Sequence, residues 1–351
     1  MIHVCSRWKL CDDRRWNCTA LMMRFHPRRA VVGTLIGLAF ILSIAIISFP
    51  DDSVAAMHRD KKGHVTSKSP SKTGPASGQH PRTKSEYCAD QPDDDSINPA
   101  MFKQFLVDDK YKIIYCQVPK AACTNWRRMM LMLTGKMNAT DPLKLRSPLV
   151  HGLYDRHLTH LKDMTPDQII HRLKHYYKFM FTREPFERVL SAFRNKFQGK
   201  NVNDFFQNHY GKNIIKRFRT KGQEGVNLTF YEFVQYLIDS SRSEPFNEHW
   251  ETISELCHPC KVQYDFIGSY SNIAADSKFV LAKIGATHLS FPDRSVTYKH
   301  SGTKKLLHQY YRDIPPGLLD QLMEVYYSDF LMFDYRVPQA LRNMTHWRFG
   351  F

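Results

Sequence analysis

Apolar positions fall along this chain in three regimes. From Ala30 to Phe49 every residue is uncharged, most are Ile, Leu, Val, Ala or Phe, and no polar face interrupts the run. That length suffices to cross a bilayer. From Asp51 to about Asn98 the pattern dissolves into Ser, Lys, Gly, Pro and Asp, as in SKSPSKTGPASGQHPRTKS. Such a segment cannot bury enough surface to offset its ordering entropy and reads as a flexible stem. Beyond Met101 periodic segments alternate. Strand character marks 111–118, 177–182 and 263–267; helical spacing marks 126–134, 165–175, 185–198, 228–238, 271–284 and 316–330. The alternation predicts an α/β domain, a sheet with flanking helices, over 99–351.

Charge around the apolar run gives it a direction. Arg14, Arg15, Arg24, Arg28 and Arg29 precede it and Asp51 and Asp52 follow. The positive-inside rule then keeps 1–29 in the cytosol, makes 30–49 a transmembrane signal-anchor, and sends stem (50–98) and domain to the lumen. A cleaved signal peptide is the rival, since Val54-Ala55-Ala56 loosely suits a cleavage site, but the run exceeds a usual h-region. In a luminal domain the sequons at Asn138, Asn227 and Asn343 become usable for glycosylation, whereas Asn17 stays bare. Five cysteines follow the anchor: Cys88, Cys116, Cys123, Cys257 and Cys260. In an oxidising compartment some pair, and the odd count leaves at least one thiol over. Cys257-His-Pro-Cys260 beside His249 resembles half a zinc site, but the second ligand pair is missing, so disulfide chemistry is favoured and no metal is expected.

The whole chain of 351 residues carries 50 Lys+Arg against 34 Asp+Glu, a formal +16, so an acidic partner is expected. No nucleic-acid-binding signature accompanies that charge, and nucleic acid is not the expected partner. The chemistry concentrates in YKIIYCQVPKAACTNWRR, residues 111–128. An apolar strand stops at Pro119, Lys120 sits at the turn, and a helix opens near Trp126. A helix N-terminus beside an ammonium makes an anion site, most often for phosphate. The glycines of a Walker loop are absent. A second strand-to-helix unit, YKFMFTREPFERVLSAFRNKF at 177–197, places Arg183 at a strand end, Pro185 in a first helical turn and Ser191 two turns on. Arg183 and Ser191 suit a phosphate; Arg183 and Arg188 paired with Glu184 and Glu187 on a solvated face is the competing account.

PKAACTNW followed by REPFERVLSAFRNKF resembles the paired 5′- and 3′-phosphosulfate-binding motifs of Golgi carbohydrate sulfotransferases. EPFNEHWETISELCHPC and DFLMFDYRVP resemble the branch holding the HNK-1 and the chondroitin, dermatan and GalNAc 4-O-sulfotransferases, nearest to chondroitin 4-O-sulfotransferase. The likeness spans roughly 100–340. It implies a P-loop-like fold with a central parallel sheet and the donor 3′-phosphoadenylyl sulfate (PAPS). By position, Pro119, Lys120, Ala121, Ala122, Cys123, Thr124 and Asn125 would cradle the 5′-phosphosulfate. Arg183, Glu184, Pro185, Phe186, Glu187, Arg188, Val189, Leu190 and Ser191 would form the 3′-phosphate unit. Ala121 and Thr182 stand where Val is common, beside the polar contacts rather than among them.

These residue types suit sulfuryl transfer, in which charge grows on the oxygen bridging sulfur and the 5′-phosphate; Lys120 is the expected catalytic cation. Sulfate carries less charge than phosphate and asks for no metal. For the base, His249 leads and His151 follows, with Glu187 and Glu248 behind; Trp250 beside His249 would stack on a sugar or simply pack. Lys212, Lys216, Arg217, Arg219 and Lys221 form either a solvated face or a guide for a glycosaminoglycan. The expectation is a type II Golgi membrane enzyme moving sulfate to O-4 of GalNAc in chondroitin or dermatan. Transfer to O-3 of terminal glucuronic acid is the alternative. From other classes, a catalytically silent glycosaminoglycan-binding protein and a Lys120-dependent kinase or NTPase compete.

Overall fold

Five short strands form one mixed sheet at the centre of this computed structural model, which describes residues 83–91, 96–198, 204–222, 225, 227–293 and 302–347. The strands are β1 (Phe105–Asp108), β2 (Ile113–Cys116), β3 (Thr159–His160), β4 (Tyr177–Thr182) and β5 (Phe266–Ser269). Their order is β3-β1-β2-β4-β5, with β2, β4 and β5 parallel and β1 antiparallel to both β2 and β3. The expected central parallel sheet is present as β2, β4 and β5, and the whole is corrected to a mixed sheet by the antiparallel β1 at its side.

Alternation of side chains builds a core on each face of the sheet. Leu106, Ile113, Tyr115, Phe179 and Phe181 face Trp126, Met129 and Met130 of helix α1 (Cys123–Leu133). Phe181 stacks on Trp126 with centroids 5.2 Å apart. Val107, Ile114, Cys116 and Met180 face Leu161, Ile169, Ile253 and Leu256 on the other side. Ile169 comes from helix α2 (Pro166–His175), opened by a Thr165/Gln168 capping box.

A third core is purely helical. Phe186, Val189, Leu190 and Phe193 of α3 (Pro185–Lys196) pack with Phe230, Phe233 and Leu237 of α4 (Phe230–Ile238). Helix α5 (Ile273–Lys283) adds to the sheet core, while α6 (Thr303–Tyr311) and α7 (Pro316–Val325) complete the helical one. The helical pattern at 316–330 splits into α7 and a separate Tyr327–Met332 turn of helix.

The expected cytosolic segment, the anchor at 30–49 and most of the stem lie outside the described residues. Among the described ones no helix is long and apolar enough to cross a membrane. Part of the predicted stem is folded, however. Thr83 and Glu86 form a capping box that opens the helix Lys84–Ala89, and a disulfide from Cys88 to Cys260 ties it to the domain. Polar composition hid this element because its apolar contribution is small and a covalent bond holds it.

Candidate active site

The chain leaves β2 at Cys116 and enters α1 at Cys123 through a turn that few L-residues favour. Lys120 and Ala122 take φ of 72° and 66°, left-handed values costing about 1–2 kcal/mol each. Neighbouring bonds hold that strain in place. Arg188 Nε donates to the Pro119 carbonyl at 3.0 Å, and Arg183 Nη1 donates to the Lys120 carbonyl at 3.1 Å. Ala122 is the N-cap and offers no side-chain acceptor. The amides of Asn125 and Trp126 fold back to its carbonyl, so those of Cys123 and Thr124 stay open to an incoming anion.

The second loop is built differently. Glu184 caps α3 with its own carboxylate, accepting from the amides of Phe186 and Glu187 at 3.1 and 2.7 Å. Burial pushes its pKa up to about 8. This helix end is therefore filled from within, and the cation before it, Arg183, is what remains for a ligand. Arg183 lies 4.3 Å over the Tyr270 ring and 3.5 Å from the Glu187 carboxylate.

Both loops open into one cleft of about 980 Å³. Pro119, Lys120, Ala122, Cys123, Thr124, His151, Arg183, Ser191 and His249 line it. Other expected residues do not. Ala121, Phe186, Val189 and Leu190 are wholly buried in the core and Pro185 fills the first helical turn. Asn125 turns its side-chain oxygen to Arg128 at 2.6 Å. Arg188 is fully buried, bonded to the carbonyls of Pro119, Glu248 and Glu251, so it fastens the first loop to the 248–251 segment. Sequence order placed these residues near the site; the alternation of helix faces removed them from it.

Seven cations line the cleft, Lys103, Lys120, Arg127, Lys162, Arg183, Arg194 and Lys196, against the two carboxylates Asp155 and Glu248. Asp155 is taken by Arg127 and His160, and Glu248 accepts from Gln104. The excess suits a multiply charged anion. Burial, reinforced by Lys196, Arg183 and Arg188, lowers the Lys120 pKa to about 8.

Two neutral imidazoles share this space. His151 Nε2 lies 2.9 Å from Thr124 Oγ1, and burial with Arg127 brings its pKa down to about 4. His249 Nδ1 donates to Asn247 Oδ1 at 2.7 Å, which leaves Nε2 as the acceptor nitrogen. Burial, then Lys196 and Lys120, takes the His249 pKa down to about 2. Trp250 is completely buried against Phe233 and Tyr210, so it packs and does not reach a sugar.

Sequence reasoning passed over Arg194, Asn195 and Lys196. The helical spacing from Ser191 to Arg194 and Asn195 puts them one turn further along the same face, a signal that was present. Gln117, Lys103 and Gln104 carried no such signal, since only the β1–β2 hairpin brings them to the cleft. In the basic segment, Arg219 is held by Glu232 and Arg217 by Asp239, while Lys212, Lys216 and Lys221 are exposed.

Cys88 pairs with Cys260 and Cys116 with Cys257; Cys123 keeps its thiol. The expected preference for disulfides over half a zinc site holds at Cys257 and Cys260. Among the described residues no group of three or more His, Cys, Asp or Glu side chains is placed to hold a metal ion.

Fold and cleft together define an α/β protein whose two strand-to-helix loops open into one cation-rich cleft that also holds two neutral imidazoles. The sequence profile of the Sulfotransferase family matches residues 103–336, and the chain belongs to that family, among its carbohydrate sulfotransferases. It is 42% identical to carbohydrate sulfotransferase 11 of Rattus norvegicus over 256 residues, 70% of this chain and 71% of that protein. Carbohydrate sulfotransferase 14 of Danio rerio is 41% identical over 68% of this chain and 64% of its own length. For carbohydrate sulfotransferase 8 of Homo sapiens the figures are 35%, 70% and 58%. No solved structure shows a significant match to this chain. Family membership implies PAPS as the sulfate donor and a carbohydrate as the acceptor. The open amides of Cys123 and Thr124 and the surplus of cations fit a donor of that charge.

Proposed function

We propose that this protein transfers sulfate from PAPS to O-4 of GalNAc in chondroitin or dermatan, as a type II enzyme of the Golgi membrane with its domain in the lumen. The observation that carries the sulfotransferase reading is the uncapped turn around Lys120, facing neutral histidines across a cation-rich cleft. The acceptor position rests on the motif resemblance. The compartment is supported by two disulfides and by the exposure of Asn138, Asn227 and Asn343.

When bound, the donor supplies a sulfuryl group activated by its 5′-phosphate. The amides of Cys123 and Thr124 and the Thr124 hydroxyl would hold its non-bridging oxygens, and Arg183 with Ser191 its 3′-phosphate. Lys120 would donate to the oxygen that gains charge as its bond to sulfur breaks, stabilising the transition state by about 3 kcal/mol. As the acceptor oxygen bonds to sulfur its proton passes to an imidazole. His249 presents a free Nε2, and His151 is tied to the donor loop through Thr124. Neither needs to lose a proton first, because both are neutral at working pH.

The test uses the full chain in detergent with ³⁵S-labelled PAPS and desulfated chondroitin, dermatan, heparosan and glucuronylated oligosaccharides. Label on GalNAc O-4, reduced at least about 100-fold by Lys120→Ala, is the expected result. Label on O-3 of glucuronic acid would keep the enzyme class and sink the acceptor assignment. No transfer to any sugar, with polymer binding intact, would sink the enzyme reading. Between His151→Ala and His249→Ala, the true base is the variant whose kcat falls while affinity for 3′-phosphoadenosine 5′-phosphate stays at the parent value; the other changes donor or acceptor affinity more than kcat.

A further inference from the structure

With Trp250 buried, the aromatic surface beside the cleft belongs to a different element. Asp204–Phe206 runs into a π-helical turn, Gln207–Gly211, and then into the helix Lys212–Phe218. π-turns are rare and concentrate at functional sites. This one arranges two stacked aromatic pairs, the planes of one nearly at right angles to those of the other. The inner pair, Phe206 and Tyr210, stacks at 5.8 Å and is anchored edge-on against Trp250 at 6.0 and 5.0 Å. The outer pair, Phe205 and His209, stacks at 5.2 Å with only 11° between planes, and both residues are exposed, Phe205 by 57%.

The inner pair links the outer one to the cleft. Phe206 meets the His249 ring edge-on at 5.4 Å and lies 4.1 Å beneath the Lys196 ammonium; His249 and Lys196 both line the cleft. Exposed apolar side chains that stand alone need no account. Here the exposed rings are stacked in nearly parallel planes, supported by an inner aromatic pair, and next to a candidate base. Lys212 and Lys216 follow one helical turn apart, both exposed.

We propose that Phe205 and His209 form the platform on which an acceptor sugar rests at the mouth of the cleft. A pyranose turns a face of weakly positive C–H groups to its partner, which matches the negative face of an aromatic ring. Neighbouring acidic residues of the polymer then run toward Lys212 and Lys216. A protein partner would need a wider apolar surface than two rings; a polyanionic glycan needs rings and flanking cations in this order. The inference rests on the acceptor being a carbohydrate, as the proposed function has it.

The experiment measures affinity of the full chain for a desulfated chondroitin hexasaccharide by calorimetry, beside affinity for 3′-phosphoadenosine 5′-phosphate and sulfate transfer. Phe205→Ala should weaken hexasaccharide binding about tenfold and raise acceptor KM equally, with nucleotide affinity and turnover at saturating acceptor unchanged. Phe205→Trp should restore the loss, and His209→Ala should show a smaller one. Hexasaccharide affinity within twofold of the parent in both alanine variants would overturn the platform while parental transfer kept the proposed function intact. So would an equal loss of nucleotide affinity, which marks general damage. If the parent neither binds nor sulfates any sugar, the proposed function falls, and the platform falls with it.

Discussion

Lys120 shows how a single side chain is set by what surrounds it. Its left-handed backbone points the ammonium into the cleft, and burial beside Lys196, Arg183 and Arg188 depresses its pKa to about 8. A polyanionic donor reverses that balance, because it favours the charged form; the pKa therefore rises on binding. By linkage, the Lys120 contribution to donor affinity is constant below pH 8 and declines above it, by up to tenfold per pH unit, until the bound-state pKa is reached. Titrating 3′-phosphoadenosine 5′-phosphate from pH 6.5 to 9.5 (a range set by that pKa of about 8) checks this. Lys120→Arg should remove the alkaline decline, since guanidinium does not titrate there. A flat profile in the parent protein would mean that Lys120 does not meet the ligand's charge. Burial, reinforced by Lys196 beside both rings, explains why both histidines are neutral, a property invisible in sequence because its sources lie on separate elements.

At the level of elements, legibility followed the strength of local pattern. β4 runs as read, 177–182, and α2 and α3 differ from the expected spans by a residue or two, because buried apolar periodicity and Pro at the first turn mark them. β1 was missed. Its hairpin to β2 has no Asn-Gly or Asp-Gly signal; Lys112 takes φ of 51° and the Asp108 carboxylate accepts from the Tyr111 amide instead. The missed strand is also what made the sheet mixed and carried Lys103 and Gln104 to the cleft. In the site, residues whose backbones form the two loops were legible, and their facing was not. Arg188 is the clearest case, a cation in a binding motif that holds three carbonyls from inside the core. Arg188→Met should cost at least about 3 kcal/mol by stranding those acceptors. In a domain of this size that lowers Tm by about 10 °C in a thermal melt. A shift under about 2 °C would show that water or relaxed loops satisfy the carbonyls.

Over the whole domain, the two disulfides act as a nested pair. Cys116–Cys257 joins the end of β2 to the last turn of helix Ile253–Cys257, at a sequence separation of 141. Cys88–Cys260 spans 172, yet it closes just outside the first bond. With the inner bond formed, the unfolded chain gains from the outer one only a ring of roughly 30 residues, an entropic stabilisation of about 3–4 kcal/mol. The relation is symmetric: with the outer bond formed, the inner one likewise closes only that ring of roughly 30 residues, again about 3–4 kcal/mol. The two bonds should therefore differ in their effect on the site rather than on stability. Cys88→Ser with Cys260→Ser should lower stability by about 3–4 kcal/mol and leave the cleft formed, because helix Lys84–Ala89 touches neither loop. Cys116→Ser with Cys257→Ser should cost a similar amount in chain entropy but also reduce donor affinity, since Cys116 lies three residues before Pro119 and Leu256 packs beneath the same face. Denaturant unfolding of both double variants, with nucleotide binding measured in parallel, separates the two effects. Losses within about 1 kcal/mol of each other are what chain entropy predicts for the nested pair; a much larger loss from the outer pair would mean that the folded stem segment, rather than chain entropy, carries the stability.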